Sequence, residues 1–164
     1  MMTFHTNLRF GWGMNITKSQ RKRTLDTRRL YKFEKEWFRG EPNLPMKELR
    51  KIAYDIWKEA GYTGYYHGDK VRPMPAVVAG KGTKYNGRYY SYCDGERVEL
   101  ARGERKKYVL IHEMVHALGY DDHDGDFVDK YFELLDYYKV SSKRDLREIG
   151  VTYGLLEEPD ADIW

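Results

Sequence analysis

The chain has 164 residues, 41% of them hydrophobic and 34% charged, with a net charge of +3, which is the composition of one globular domain with its own core. No apolar run reaches about 18 residues, so a membrane-spanning helix is excluded, and MMTFHTNLRFGWGM at the start lacks the layout of a secretory leader. A single cysteine, Cys93, excludes an internal disulfide and a four-cysteine zinc ribbon, and points to a reducing, cytoplasmic compartment.

Charge is unevenly spread. Residues 1–39 hold ten Lys/Arg against three Asp/Glu, whereas residues 120–164 hold five against thirteen. Most of the basic excess lies in TKSQRKRTLDTRRLYKFEKEWFR, residues 17–39, which is predicted as an amphipathic helix. Thr17 and Gln20 make a capping-box pattern, Leu30, Phe33 and Trp37 share a face, and Gly40 with Pro42 ends the helix. Residues 1–40 are thus expected as a basic helical extension with a solvated face. Lys18, Arg21, Lys22, Arg28, Arg29 and Lys32 are candidates for contact with nucleic-acid phosphates.

A second helix is predicted over 45–60 from Leu49, Ile52, Ala53, Ile56, Trp57 and Ala60, capped by Gly61. Residues 62–75, with Gly64, Gly68, Pro73 and Pro75, read as loop. Strands are predicted at 76–79, 88–93 and 97–101, the last two joined by a type I′ turn at Asp94-Gly95. Val98 and Leu100 are expected to face the core, and Arg97 and Glu99 the solvent. Substrate backbone is expected to pair with an edge of this sheet.

The decisive segment is VLIHEMVHALGYDDHDGDF, residues 109–127. On a helix, His112 and His116 stand at i and i+4, so both imidazoles leave one face, the spacing of a catalytic zinc site. Glu113 lies about 100° around from His112, beside the metal without being a ligand, where a carboxylate can take a proton from water. Tyr108, Ile111, Val115 and Leu118 form a core-facing stripe, and Gly119 can take a positive φ and turn the chain back. Three residues compete for the third ligand. His123 is the next imidazole, Asp122 falls at the metzincin position, and Glu133 lies on the following helix, as in thermolysin-like sites. One of Asp121, Asp122, Asp124, Asp126 and Asp129 is expected to orient a ligand histidine. His5 and His67 read as surface or loop residues.

The block HEMVHALGYDDHDGDF resembles the active-site segment of SprT-like zinc metallopeptidases, including small members encoded by bacteriophages. The resemblance covers about residues 105–138, and the chain departs from the family in having Asp124 before Gly125 after the third histidine and in its short loop between His116 and His123. It implies that His112, His116 and His123 bind one zinc ion, that Glu113 is the general base, and that Phe127 opens the next helix. It also implies a protein or peptide substrate and work near DNA. Beyond that segment, Phe127, Tyr131, Leu134, Leu135 and Tyr138 mark a helix, and Ser141 or Ser142 opens a last one ending by Gly150. The expected fold is α+β: one zincin-like domain over 1–164, with N-terminal helices, a short antiparallel sheet, the H-E-x-x-H helix and C-terminal helices, its active-site core at 97–138. The alternative is a zinc-stabilised structural or nucleic-acid-binding protein without catalysis, for example a phage accessory protein.

Overall fold

The computed structural model describes residues 17–61, 66–67, 70–71 and 73–158, and within them the side chains of 19, 20, 23, 24, 61, 66, 67, 70 and 71 are not described. His5 and the side chains of Gln20 and His67 therefore lie outside the described residues. Among the described residues two helices come first, α1 (Lys18–Trp37) and α2 (Met46–Gly61). Seven short strands follow: β1 (Tyr66–His67), β2 (Lys70–Val71), β3 (Ala76–Gly80), β4 (Thr83–Tyr85), β5 (Arg88–Tyr90), β6 (Tyr92–Cys93) and β7 (Arg97–Ala101). Helices α3 (Lys107–Ala117), α4 (Gly125–Tyr137) and α5 (Lys143–Thr152) come last among the described residues. Strands and helices are segregated in sequence, an α+β arrangement.

The main sheet has the order β3-β7-β6. It is mixed, and the expectation of a purely antiparallel sheet is corrected here. β3 runs parallel to β7 from Ala76↔Arg97 to Gly80↔Ala101, whereas β6 runs antiparallel to β7. A parallel pair needs a long crossover, and residues 81–96 supply one containing β4, β5 and β6 rather than a helix. The expected single strand over 88–93 is split at Ser91. Its amide and hydroxyl both donate to Glu104 Oε1 at 2.7 and 2.9 Å, and its Oγ accepts from the Ala101 amide. Ser91 thereby replaces one backbone rung with a side-chain one.

The turns differ from expectation too. Between β6 and β7 the turn centres on Gly95 and Glu96, with a positive φ at Gly95 but not at Glu96, so it is not type I′. The Asp94 carboxylate braces it by accepting from the amides of Glu96 and Arg97. A second hairpin joins β4 to β5 through Asn86-Gly87, both with positive φ, the type I′ pattern. Residues 66–67 and 70–71, expected as loop, form a small antiparallel pair.

Val98 and Leu100 face the core fully buried, as their alternation requires. They meet Leu110, Ile111, Met114 and Val115 of α3, Phe127, Tyr131 and Leu135 of α4, and Leu49, Ala53 and Ile56 of α2. Helix α1 joins this core through Leu30 and Phe33, both at 0% exposure. Trp37, expected on that face, is exposed, with its Nε1–H donating to Ser141 Oγ, and Phe38 occupies the buried place instead. Lys18, Arg21, Lys22, Arg28 and Lys32 are exposed, and Arg29 is partly buried.

Candidate metal centre

Helix α3 contains neither proline nor glycine, and eight of its residues, from Val109 to Ala117, are buried. Burial on almost every side fixes its rotation, so His112 and His116 must emerge on a defined line. The helix stops in a Schellman turn. Gly119, at φ 107°, donates its amide to His116 O at 2.9 Å, and the Tyr120 amide reaches Val115 O. This reversal points the Tyr120 carbonyl back at the helix, where it accepts from His116 Nδ1–H at 2.7 Å.

The returning chain carries His123 into the same place. Its Nε2 lies 3.1 Å from His112 Nε2 and 3.0 Å from His116 Nε2, and the ligand atoms of the three histidines lie within 4.8 Å of one another. These three histidines can hold a metal ion. Of the rival third ligands, Asp122 is exposed, and Glu133 is exposed and paired with Lys130 at 3.3 Å. Neither joins the cluster. Asp124 caps α4, accepting from the Phe127 amide at 3.0 Å. The capped turn seats the Phe127 ring under all three imidazoles, at centroid distances of 5.0, 4.8 and 4.9 Å.

The far side of each imidazole is also engaged. His112 Nδ1 lies 2.9 Å from Glu34 Oε2 and His123 Nδ1 lies 3.0 Å from Thr27 Oγ1. A carboxylate and a carbonyl only accept, so His112 and His116 carry their protons on Nδ1. In the neutral rings, the Nε2 lone pairs then face one another. A cation at their meeting point satisfies all of them, which a single N–H cannot do. The donor set therefore fits a metal.

The expectation that an aspartate from 121–129 orients a ligand is corrected. Asp121, Asp122, Asp124, Asp126 and Asp129 are all exposed. The orienting groups are Glu34, Thr27 and the Tyr120 carbonyl. Two of these come from α1, where Thr27, Tyr31 and Glu34 stand at i, i+4 and i+7 and so share one face. Sequence reading missed them because it took α1 as a basic helix with one apolar stripe. The available signal was Glu34 beside Phe33, a carboxylate on the inward side of an otherwise basic run.

Burial sets the electrostatics. It holds His116 down at about 3 and His123 down at about 2, with the His112 charge adding in both cases. Burial also disfavours the charged form of His112, but Glu34, helped by Glu113 and Glu104, outweighs it and carries the value above the usual one. Glu113 is 8% exposed, and burial pushes it up to about 7, with His112 opposing and Glu34 and Glu104 adding. The Tyr31 ring lies 6.1 Å from that of His112 and 5.5 Å from that of His123.

Comparisons with protein-family models, curated proteins and solved structures return no match. The residues of the centre carry the functional argument alone.

Proposed function

We propose that this chain is a zinc metallopeptidase of zincin type, related to the SprT-like enzymes, with Glu113 as its general base. The convergence of three imidazole Nε2 atoms, two of them from an H-E-x-x-H helix, carries the reading. On tetrahedral zinc at about 2.0–2.1 Å, two nitrogens stand about 3.3–3.4 Å apart. The separations of 3.0 and 3.1 Å need open by only a few tenths. Among the described residues no fourth His, Cys, Asp or Glu joins the three. Structural zinc sites take four protein ligands, whereas catalytic ones keep a position open. Glu113, buried beside these residues on the helix, weighs against a zinc-stabilised protein that only supports a fold or binds nucleic acid, since such a site needs no base.

Bound zinc would supply Lewis acidity, polarising the scissile carbonyl and lowering the pKa of an attacking water. The chain's own part is to hold the ligands and move the proton. Glu113 accepts it from the water and hands it to the departing amine as the peptide bond breaks. Because β7 is paired on both sides, an extended substrate would add at β3 or β6, the outer strands of the sheet.

The test is zinc content together with hydrolysis of an unfolded protein such as casein. Wild type should hold one zinc per chain and cleave. Glu113→Gln should keep the zinc and lose hydrolysis, since an amide cannot accept the proton. Purified, chelator-free protein without zinc would sink the reading, and a Glu113→Gln variant as active as wild type would remove the base.

A further inference from the structure

We infer that Glu34, pinned by Tyr131, is the positioning residue that sets how His112 presents its Nε2, so that helix α1 governs the metal affinity of a site on α3. The inference rests on the metal centre proposed above. Glu34 precedes His112 by 78 positions, and the residue is buried at 8% exposure. One oxygen, Oε2, takes two hydrogen bonds: from His112 Nδ1–H at 2.9 Å and from the Tyr131 hydroxyl at 2.8 Å. Tyr131 is fully buried, and its ring also meets that of His112 at 5.5 Å. The phenol thus holds the carboxylate, and the carboxylate holds the imidazole.

The three ligands are not oriented equally. His116 leans on a carbonyl and His123 on a hydroxyl, both uncharged, while His112 alone leans on a carboxylate. A carboxylate partner fixes the tautomer and raises the basicity of the opposite nitrogen. Leu30 and Phe33, buried beside Glu34, keep α1 in place to deliver it.

Glu34→Gln and Tyr131→Phe, singly and together, test this by zinc competition against a chromophoric chelator. Circular dichroism would check the fold. Glutamine keeps the shape and can still accept from His112, but it loses the charge. Its zinc affinity should fall about 10–100-fold, and the absorption of the cobalt-substituted protein should shift. Tyr131→Phe should weaken binding less, and in the Glu34→Gln background it should add under about twofold, because the hydroxyl acts through the carboxylate. A merely structural pair would leave the cobalt spectrum unmoved. Glu34→Gln binding zinc as wild type does, or Tyr131→Phe costing the same in both backgrounds, would overturn the inference while leaving the metal centre standing. Should Glu34→Gln not fold, Tyr131→Phe decides alone, and unchanged affinity overturns the inference. A wild type that takes up no zinc would defeat the underlying reading instead.

Discussion

Tyr31 and Tyr131 both lay a ring against His112, but they differ in what else they reach. Tyr131 is sealed at 0% exposure, while Tyr31 is 39% exposed and borders both His112 and His123. Of the two, only Tyr31 reaches the surface. Its phenol is a proton donor at neutral pH, as an ordinary tyrosine is. Tyr31→Phe preserves the ring contacts and removes only the hydroxyl. If that hydroxyl steadies the developing oxyanion, kcat should fall about 100-fold, with zinc content and KM little changed. A kcat within twofold of wild type would exclude the role. The third ligand gives a second residue-scale prediction. His123→Ala should lose zinc and activity together, because its Nε2 faces both other ligands. Asp122→Ala and Glu133→Ala should keep the metal, since both side chains are exposed away from the cluster. Elemental analysis of the three variants decides.

Elements whose sequence signal is local were legible; those that depend on pairing across the chain were not. Helix α3, its glycine stop and the i, i+4 histidines follow from spacing alone. Strand β7 falls at 97–101 as its alternation indicates, and Ser142 caps α5. The parallel β3–β7 pairing left no local mark, because register between distant strands is set by what packs on them. The Asn86-Gly87 hairpin does carry one, the strongest dipeptide signal for a type I′ turn, whereas Asp94-Gly95 carries the related signal without that turn. Gly150 was expected to end α5, yet the helix runs on to Thr152. A Cβ there would stand 2.8 Å from the Phe132 ring, so this glycine serves close packing rather than termination. The inward carboxylate of Glu34 leaves a local mark beside Phe33, but what Glu34 and Thr27 orient does not, because their partners lie 78 and 96 positions away. At this scale the Schellman turn makes its own prediction. Gly119→Ala should cost about 1–2 kcal/mol through its positive φ. It should also weaken zinc binding, because the turn aims the Tyr120 carbonyl at His116. Chemical denaturation and zinc titration would show both. A loss of stability with unchanged affinity would uncouple the turn from the metal. Asp124→Ala should cost about 1 kcal/mol as a lost helix cap.

Taken whole, the molecule brings three distant stretches of chain to one point. Residues 27–34 orient two of the clustered histidines, residues 112–123 supply all three, and residues 127–131 floor the cluster and hold Glu34. The main sheet and α2 supply none of these groups; they join the molecule through Val98, Leu100, Leu49, Ala53 and Ile56 in the core. Metal binding should therefore stabilise the molecule unevenly. A ligand at about 100 times its dissociation constant adds about 2.7 kcal/mol. For a domain of this size that corresponds to about 5–11 °C in melting temperature. Removing zinc with a chelator should lower the midpoint by that order, and restored zinc should return it. Hydrogen exchange should place the loss. Amides of α1 beyond Thr27 and of the turn from Gly119 to Phe127 should exchange faster without metal. Those of β3, β7 and α2 should change little, because no ligand or orienting group lies on them. If chelation loosened the sheet as much as α1, the metal would be supporting the whole fold rather than joining α1 to α3. The orienting role given to α1 would then have no basis.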